Sequence, residues 1–340
     1  MTLSGPNTTT PFPVFIKDLE PRYKEPVLTN LKVSTLVLNN GLSVKGPFAV
    51  TMDNNHNLYI ADGYKNQLFM VDMQGNASVI AGNGTAGSVD GAGSTATFNG
   101  MWGVAVDSSG NIYTTDAANT SGAHRIRKIV KSSNGDYTVS TMAGTGISGD
   151  ADGIGTAATF NRPSGIIFDK VRKCLYISEW GAGRVRKIDL STAANTVSTL
   201  AAPSSATNLF TMTLSPDAED MYVSSNNNNN IFKYNFTSGT IASYINSNVN
   251  NRGLFATAGG KLLATAGNQN LIFYYDLKTN MMTELSTRVS SADESGKVIE
   301  NVPIKEEAAR FFQPFGIYYD IWTGNWYVAN NTNKNSDKVV

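Results

Sequence analysis

One string of residue types occurs twice in succession, and a chain written that way folds as an array of like units rather than around one irregular core. The first copy reads Gly82-Asn83-Gly84, Asp90-Gly91, Thr97-Phe98-Asn99, Gly103-Val104-Ala105-Val106-Asp107, Ile112-Tyr113, Asp116 and Arg125-Ile126-Arg127-Lys128-Ile129. The second reads Gly144-Thr145-Gly146, Asp152-Gly153, Thr159-Phe160-Asn161, Gly165-Ile166-Ile167-Phe168-Asp169, Leu175-Tyr176-Ile177, Glu179 and Arg184-Val185-Arg186-Lys187-Ile188. A unit of roughly 40 to 60 residues with four short strands is a propeller blade, so the chain is expected to be an all-β propeller.

Aligning on the apolar run before Asp or its stand-in gives six inner strands, at 48–53, 102–107, 164–169, 210–215, 252–257 and 315–320. Turns such as Ser108-Ser109-Gly110-Asn111 lead into second strands rich in β-branched and aromatic residues, for example Leu175-Tyr176-Ile177 and Trp326-Tyr327-Val328. Six four-stranded blades follow, except that the last lacks its outermost strand after Lys338-Val339-Val340. Residues 31–38 carry Lys32-Val33-Ser34-Thr35-Leu36, which matches the outermost strands Thr138-Val139-Ser140-Thr141-Met142 and Thr196-Val197-Ser198-Thr199-Leu200. They are expected to complete blade six, making 31–340 a single propeller whose ends are tied in one sheet and whose ring has no open edge. Residues 1–30, with prolines at 6, 11, 13, 21 and 26, read as an extended arm, lying on the propeller or making an assembly contact. The stretch 304–312 has the spacing of a short helix.

Formal charge is zero and the pI is about 6.7, which leaves no electrostatic footprint for nucleic acid. No run is long enough for membrane insertion, and no signal peptide or transmembrane segment is legible, so the chain reads as soluble with its compartment open. Cys174 is the single cysteine, in an apolar strand, and forms no intrachain disulfide.

The pattern Asp-Gly-x-Gly-x-x-Ala-x-Phe-Asn-x-Pro-x-Gly-Ile (152–166), followed by Asp, Leu-Tyr, an acidic corner and Arg-x-Arg-Lys-Ile, resembles the NHL-repeat β-propellers. The resemblance covers residue 46 to the C-terminus and is strongest in blades two and three. It implies a six-bladed propeller and leaves function open, since the family includes binding scaffolds, sensor ectodomains and a few lyases and hydrolases.

Several motifs invite chemistry. Gly82/Gly84/Gly87 and Gly144/Gly146/Gly149 spell a dinucleotide fingerprint, but each leads into a loop and strand where the fingerprint needs a helix. Asp150-Ala151-Asp152-Gly153 opens like a calcium loop yet lacks the closing Glu. The acidic corners Asp62, Asp116 and Glu179 recur blade by blade, as structural carboxylates that accept N–H bonds from the next loop would. Family lyases use a histidine-rich zinc site, whereas this chain has only His56 and His124. Lactonase-like propellers hold calcium with carboxylates, whereas Lys45, Asn99, Asn161, Arg162, Asn208, Asn251 and Gln313 precede the inner strands here. No catalytic residue, metal ligand or cofactor is therefore assigned.

What remains is the first position of the inner strands: Phe48, Trp102, Ser164, Phe210, Arg252 and Phe315, with Tyr64 and Trp180 beside the acidic corners. Aromatic rings around one arginine make either inter-blade packing or a recognition surface. The expected function is a non-enzymatic binding or scaffold propeller that takes a protein, peptide or glycan at Phe48, Trp102, Phe210, Arg252, Phe315, Tyr64 and Trp180. The alternative is a metal-dependent hydrolase or lyase of the six-bladed type, lactonase-like, with an axial site.

Overall fold

The structure is a computed structural model, and it describes residues 28, 32–33, 36, 38, 41–203, 208–286, 302–303, 311, 313–320, 323–330 and 338–339. The arm expected at 1–30, Leu28 apart, and the helix expected at 304–312, Phe311 apart, lie outside the described residues.

Five sheets are each built from four consecutive antiparallel strands, the first being Pro47–Met52, Leu58–Asp62, Gln67–Val71 and Ala77–Ala81. Their inner strands are Pro47–Met52, Met101–Val106, Pro163–Asp169, Leu209–Leu214 and Asn251–Ala256. A three-stranded sheet, Pro314–Tyr319, Trp326–Asn330 and Lys338–Val339, stands between the fifth sheet and the first. Each inner strand packs on the next around the ring, and Pro314–Tyr319 packs on Pro47–Met52. The chain is an all-β propeller.

Burial follows from this geometry. Second strands are covered on both faces by neighbouring sheets, so Leu58–Asp62, Ile112–Asp116 and Cys174–Glu179 are buried at every residue. Outermost strands such as Tyr137–Ala143 alternate toward solvent. Cys174 is a free, buried thiol in such a second strand, and burial raises its pKa, which suits a small apolar filler.

Sheets two and three each gain a fifth strand, Gly91–Ala92 or Gly153–Ile154, laid on the outermost strand. Val139 pairs with Gly91, and Val197 with Gly153. The N-terminal strand Lys32–Val33 pairs with Val302–Pro303 in the same way, Val33 opposite Val302. Val33 thus occupies the register of Val139 and Val197. Leu36 and Leu38 pack on the cluster that joins the three-stranded sheet to the first through Phe315, Ala329, Phe48 and Val50.

The inner strands converge so tightly that a side chain has no room at Gly103, Gly165 or Gly253. A Cβ on Gly103 would lie 2.5 Å from the Ser164 carbonyl oxygen of the next sheet. Beside it, Thr115 fills a local irregularity in the ladder: its hydroxyl accepts from the Gly103 N–H and donates to the Ser164 carbonyl, at 2.9 and 2.8 Å. Ser178 and Thr265 repeat this link, to Phe210 and Phe315. A hydroxyl just before the corner residue therefore laces sheet to sheet.

Candidate functional site

The carboxylates at the corners sit where the second strand, running antiparallel to the inner one, ends beside the inner strand's start; Pro47 faces Asp62, Met101 faces Asp116 and Pro163 faces Glu179. Asp62 accepts the N–H groups of Lys45, Gly46, Tyr64 and Lys65. Asp116 accepts from Asn99 N–H and Glu179 from Asn161 N–H, at 3.2 and 2.7 Å. The loop entering the same sheet's inner strand donates at all three corners, because antiparallel pairing brings those two ends together, and at Asp62 the next loop along the chain donates as well.

In sheets two and three the corner belongs to a larger clamp. The fully buried Arg127 donates to Asp116 at 2.9 Å, to Asp90 at 2.6 Å and to the carbonyls of Thr97 and Val89. Asp90 in turn accepts from the N–H and hydroxyl of Thr141 on the outermost strand. Arg186 repeats the arrangement with Glu179, Asp152, Thr159, Ala151 and, beyond Asp152, Thr199. The Asp-Gly loop that opens like a calcium site spends its Asp152 on Arg186, while Asp150 pairs with Arg184 at 2.7 Å. Burial pushes Asp116 up to about 6 against the pull of Arg127, and Glu179 up to about 7 against that of Arg186. The glycine loops serve the same frame: Gly82 has φ +97°, and a Cβ there would fall 2.2 Å from the Asn66 carbonyl oxygen.

At the same end of the ring, four side chains from the inner strands meet around the axis. Phe48 stacks on Trp102 at 5.7 Å and meets Phe315 edge-on at 4.6 Å; Phe210 lies 5.8 Å from Trp102 and 5.6 Å from Phe315. The four rings form a closed circuit. Trp180 leans edge-on against Trp102 and Phe210, and Tyr64 against Phe48. Phe48, Phe210 and Phe315 are buried, Trp102 and Trp180 half-buried, and Tyr64 48% exposed. Ser164 does not join the circuit; it is buried and hydrogen-bonded to Ser178 and the Leu209 carbonyl.

Arg252 lies over Phe315 at 4.2 Å, held by the side-chain oxygens of Asn250 and Asn268. Burial lowers its pKa to about 10. A second guanidinium, from Arg162, lies 5.1 Å from the Trp102 ring and 5.7 Å from that of Trp180. In the sequence Arg162 stands out only as a base, not a carboxylate, ahead of an inner strand. Its signal was available, since it occupies a left-handed position (φ 52°) held by Gly100 one blade earlier, and an arginine there needs a reason.

Below the circuit, a cavity of about 450 Å³ follows the inner strands to the opposite mouth at Lys170, Val171 and Pro216–Ala218. Its wall is mainly apolar, with Met52, Val106, Phe168, Leu214 and Phe255. No group of three or more His, Cys, Asp or Glu side chains capable of holding a metal occurs among the described residues. His124 accepts the Arg162 N–H, and His56 lies in the turn at the far end beside Asp320.

Residues 98–129, from Phe98 through Arg127 to Ile129, match the NHL repeat. The chain carries an NHL repeat. No sequence relative is found among curated proteins. Solved structures similar to this propeller include virginiamycin B lyase from Staphylococcus aureus, at 18% identity and TM-score 0.55 over 88% of this chain and 80% of that one. An auxiliary nutrient binding protein from Bacteroides thetaiotaomicron superposes with TM-score 0.65 at 13% identity, over 88% and 69% of the two chains. A gluconolactonase from Xanthomonas campestris does so with TM-score 0.57 at 12% identity, over 90% and 86%. At these identities the likeness is one of fold.

Proposed function

We propose that this NHL propeller is a binding module without catalytic chemistry of its own, and that its ligand seats on the aromatic circuit at Phe48, Trp102, Phe210 and Phe315, flanked by Trp180, Tyr64 and Arg252. The observation that carries the reading is the half-open state of that circuit: its inner rings are buried by one another, while Trp102, Trp180 and Tyr64 keep surface toward solvent. Large rigid side chains of this kind bury much area at small entropy cost, as recognition hot spots require. The corner carboxylates are taken as structural: Asp62 and Asp116 spend both oxygens on backbone N–H groups or arginine, and Glu179 spends Oε1 on the Asn161 N–H and Arg186 while its Oε2 is buried without a partner among the described residues. The nutrient binding neighbour is consistent with a carrier role, while the lyase and gluconolactonase neighbours keep catalysis as the rival. Elemental analysis of protein purified without chelator separates the two. Less than about 0.1 equivalent of zinc or calcium is expected, because the described residues bring no three His, Cys, Asp or Glu side chains together; one equivalent per chain, lost together with a hydrolase or lyase activity, would establish the enzyme reading.

The same reading takes the ring as six-bladed, with residues 31–38 as the outermost strand of the sixth blade. Two observations support this: Val33 shares the register of Val139 and Val197 against the extra strand, and Leu36 and Leu38 pack between the last sheet and the first.

A further inference from the structure

Arg162 and Arg252 stand on sheets three and five, joined by an unbroken arc of ring contacts through Trp102, Trp180, Phe210 and Phe315. Neither guanidinium meets a carboxylate among the described residues. Of the other described arginines, Arg127, Arg172, Arg184 and Arg186 pair with acids, and Arg125 spends its guanidinium on the carbonyls of Gly122 and Thr145. Among the described residues Arg162 makes no side-chain hydrogen bond, and its Nε is buried without a partner. Arg252 spends two donors on neutral amides, which orient a guanidinium without cancelling its charge. The nearby acids Asp62, Asp116 and Glu179 are buried and turned to their own frames. Two partly desolvated cations without counter-ions cost free energy unless an anion arrives.

We infer that the mouth recognises a saccharide bearing a carboxylate, a uronic-acid oligosaccharide, with sugar faces on the Trp102 and Trp180 rings and the carboxylate on Arg252 or Arg162. This rests on the reading of the mouth as a binding site and adds the class of ligand. A sugar is favoured over an acidic peptide because the side chains beside Arg252 are neutral amides: Asn250 and Asn268 bond its guanidinium and Gln269 bonds the Asn250 N–H, and amides match hydroxyl groups in both donor and acceptor capacity.

The test is calorimetric titration with oligogalacturonate, oligoalginate and hyaluronan fragments, each also as its methyl ester, and with an acidic peptide for comparison. At least one free acid should bind, its ester at least about tenfold more weakly. Arg252→Gln and Arg162→Gln should each cost about tenfold on the acid and little on the ester, whereas Arg252→Lys, keeping the charge, should retain part of the affinity. Melting curves of all variants show whether a loss is one of folding. Equal binding of acid and ester, both weakened by Trp102→Ala, would overturn the anion inference and leave the mouth standing as the site. Binding indifferent to Trp102→Ala would overturn the reading of the mouth itself, and binding of the peptide alone, or of no saccharide, would overturn the ligand class.

Discussion

Arg127→Met should lower the stability of the protein by about 3 to 5 kcal/mol, the usual cost of removing one partner from a buried ion pair. The side chain is fully buried and holds four acceptors at once: Asp116, Asp90 and the carbonyls of Thr97 and Val89. Methionine fills much of the volume and satisfies none of them. The cost should also depend on pH. In the native protein burial already raises the Asp116 carboxyl to about 6, and Arg127 is what restrains it. Without the arginine the folded-state value rises further above that of the unfolded chain. A carboxyl raised on folding contributes stability that is present below its unfolded pKa and is lost as pH rises through its folded pKa. The deficit of the variant should therefore be smaller at pH 5 and grow between pH 6 and 8. Urea denaturation at both ends of that range checks it; a loss under about 1 kcal/mol, or one that shrinks toward pH 8, would remove the clamp from the account.

The second large effect concerns ring closure. Leu36→Ser together with Leu38→Ser should cost about 2 to 4 kcal/mol, given about 1.5 to 3 kcal/mol for a fully buried leucine and only partial burial at these two sites. Loss of the contacts around Phe315, Ala329, Phe48 and Val50 should also loosen the last sheet, so amides of Trp326–Asn330 should exchange faster while those of Ile112–Asp116 stay protected. Uniform exchange across both strands, with no change in melting, would place the closure elsewhere.

The frame of this protein was more legible in its sequence than the site. Repetition exposed the inner and second strands because the chemistry recurs: Phe-Asn before the inner strand, Asp at its end, an acid at the corner. The Val-Ser-Thr match marked residues 31–38 as the outermost strand of blade six; Lys32–Val33 is a strand, but its described partner is Val302–Pro303 and not Lys338–Val339, a pairing that alternation alone could not find in so short a segment. The clamp was half visible. Arg127 and Arg186 stood in the motif, but their bonds to Asp90 and Asp152 cross more than 30 residues, and spacing carries no information about that. The hydroxyls of Thr115, Ser178 and Thr265 were missed although each stands one residue before its corner, because Ser and Thr in a strand look like ordinary β-formers. At the mouth, register marked Phe48, Trp102, Phe210 and Phe315, and their contacts form one circuit. The partnership of Arg162 with Trp102 and Trp180 depends on loop geometry that no linear pattern encodes.

The central claim is that ligand is bound on the aromatic circuit, and the most direct measurement compares affinity and melting temperature for Trp102→Ala and for Lys170→Ala, which alters an exposed residue at the opposite end of the cavity. For the tightest-binding saccharide or peptide, Trp102→Ala should weaken binding by about 2 kcal/mol or more, as a central aromatic anchor does, while the protein still melts cooperatively. Lys170→Ala should leave both quantities unchanged. If Lys170→Ala abolishes binding and Trp102→Ala does not, the rings are packing, and the functional mouth is the one at Lys170, Val171 and Pro216.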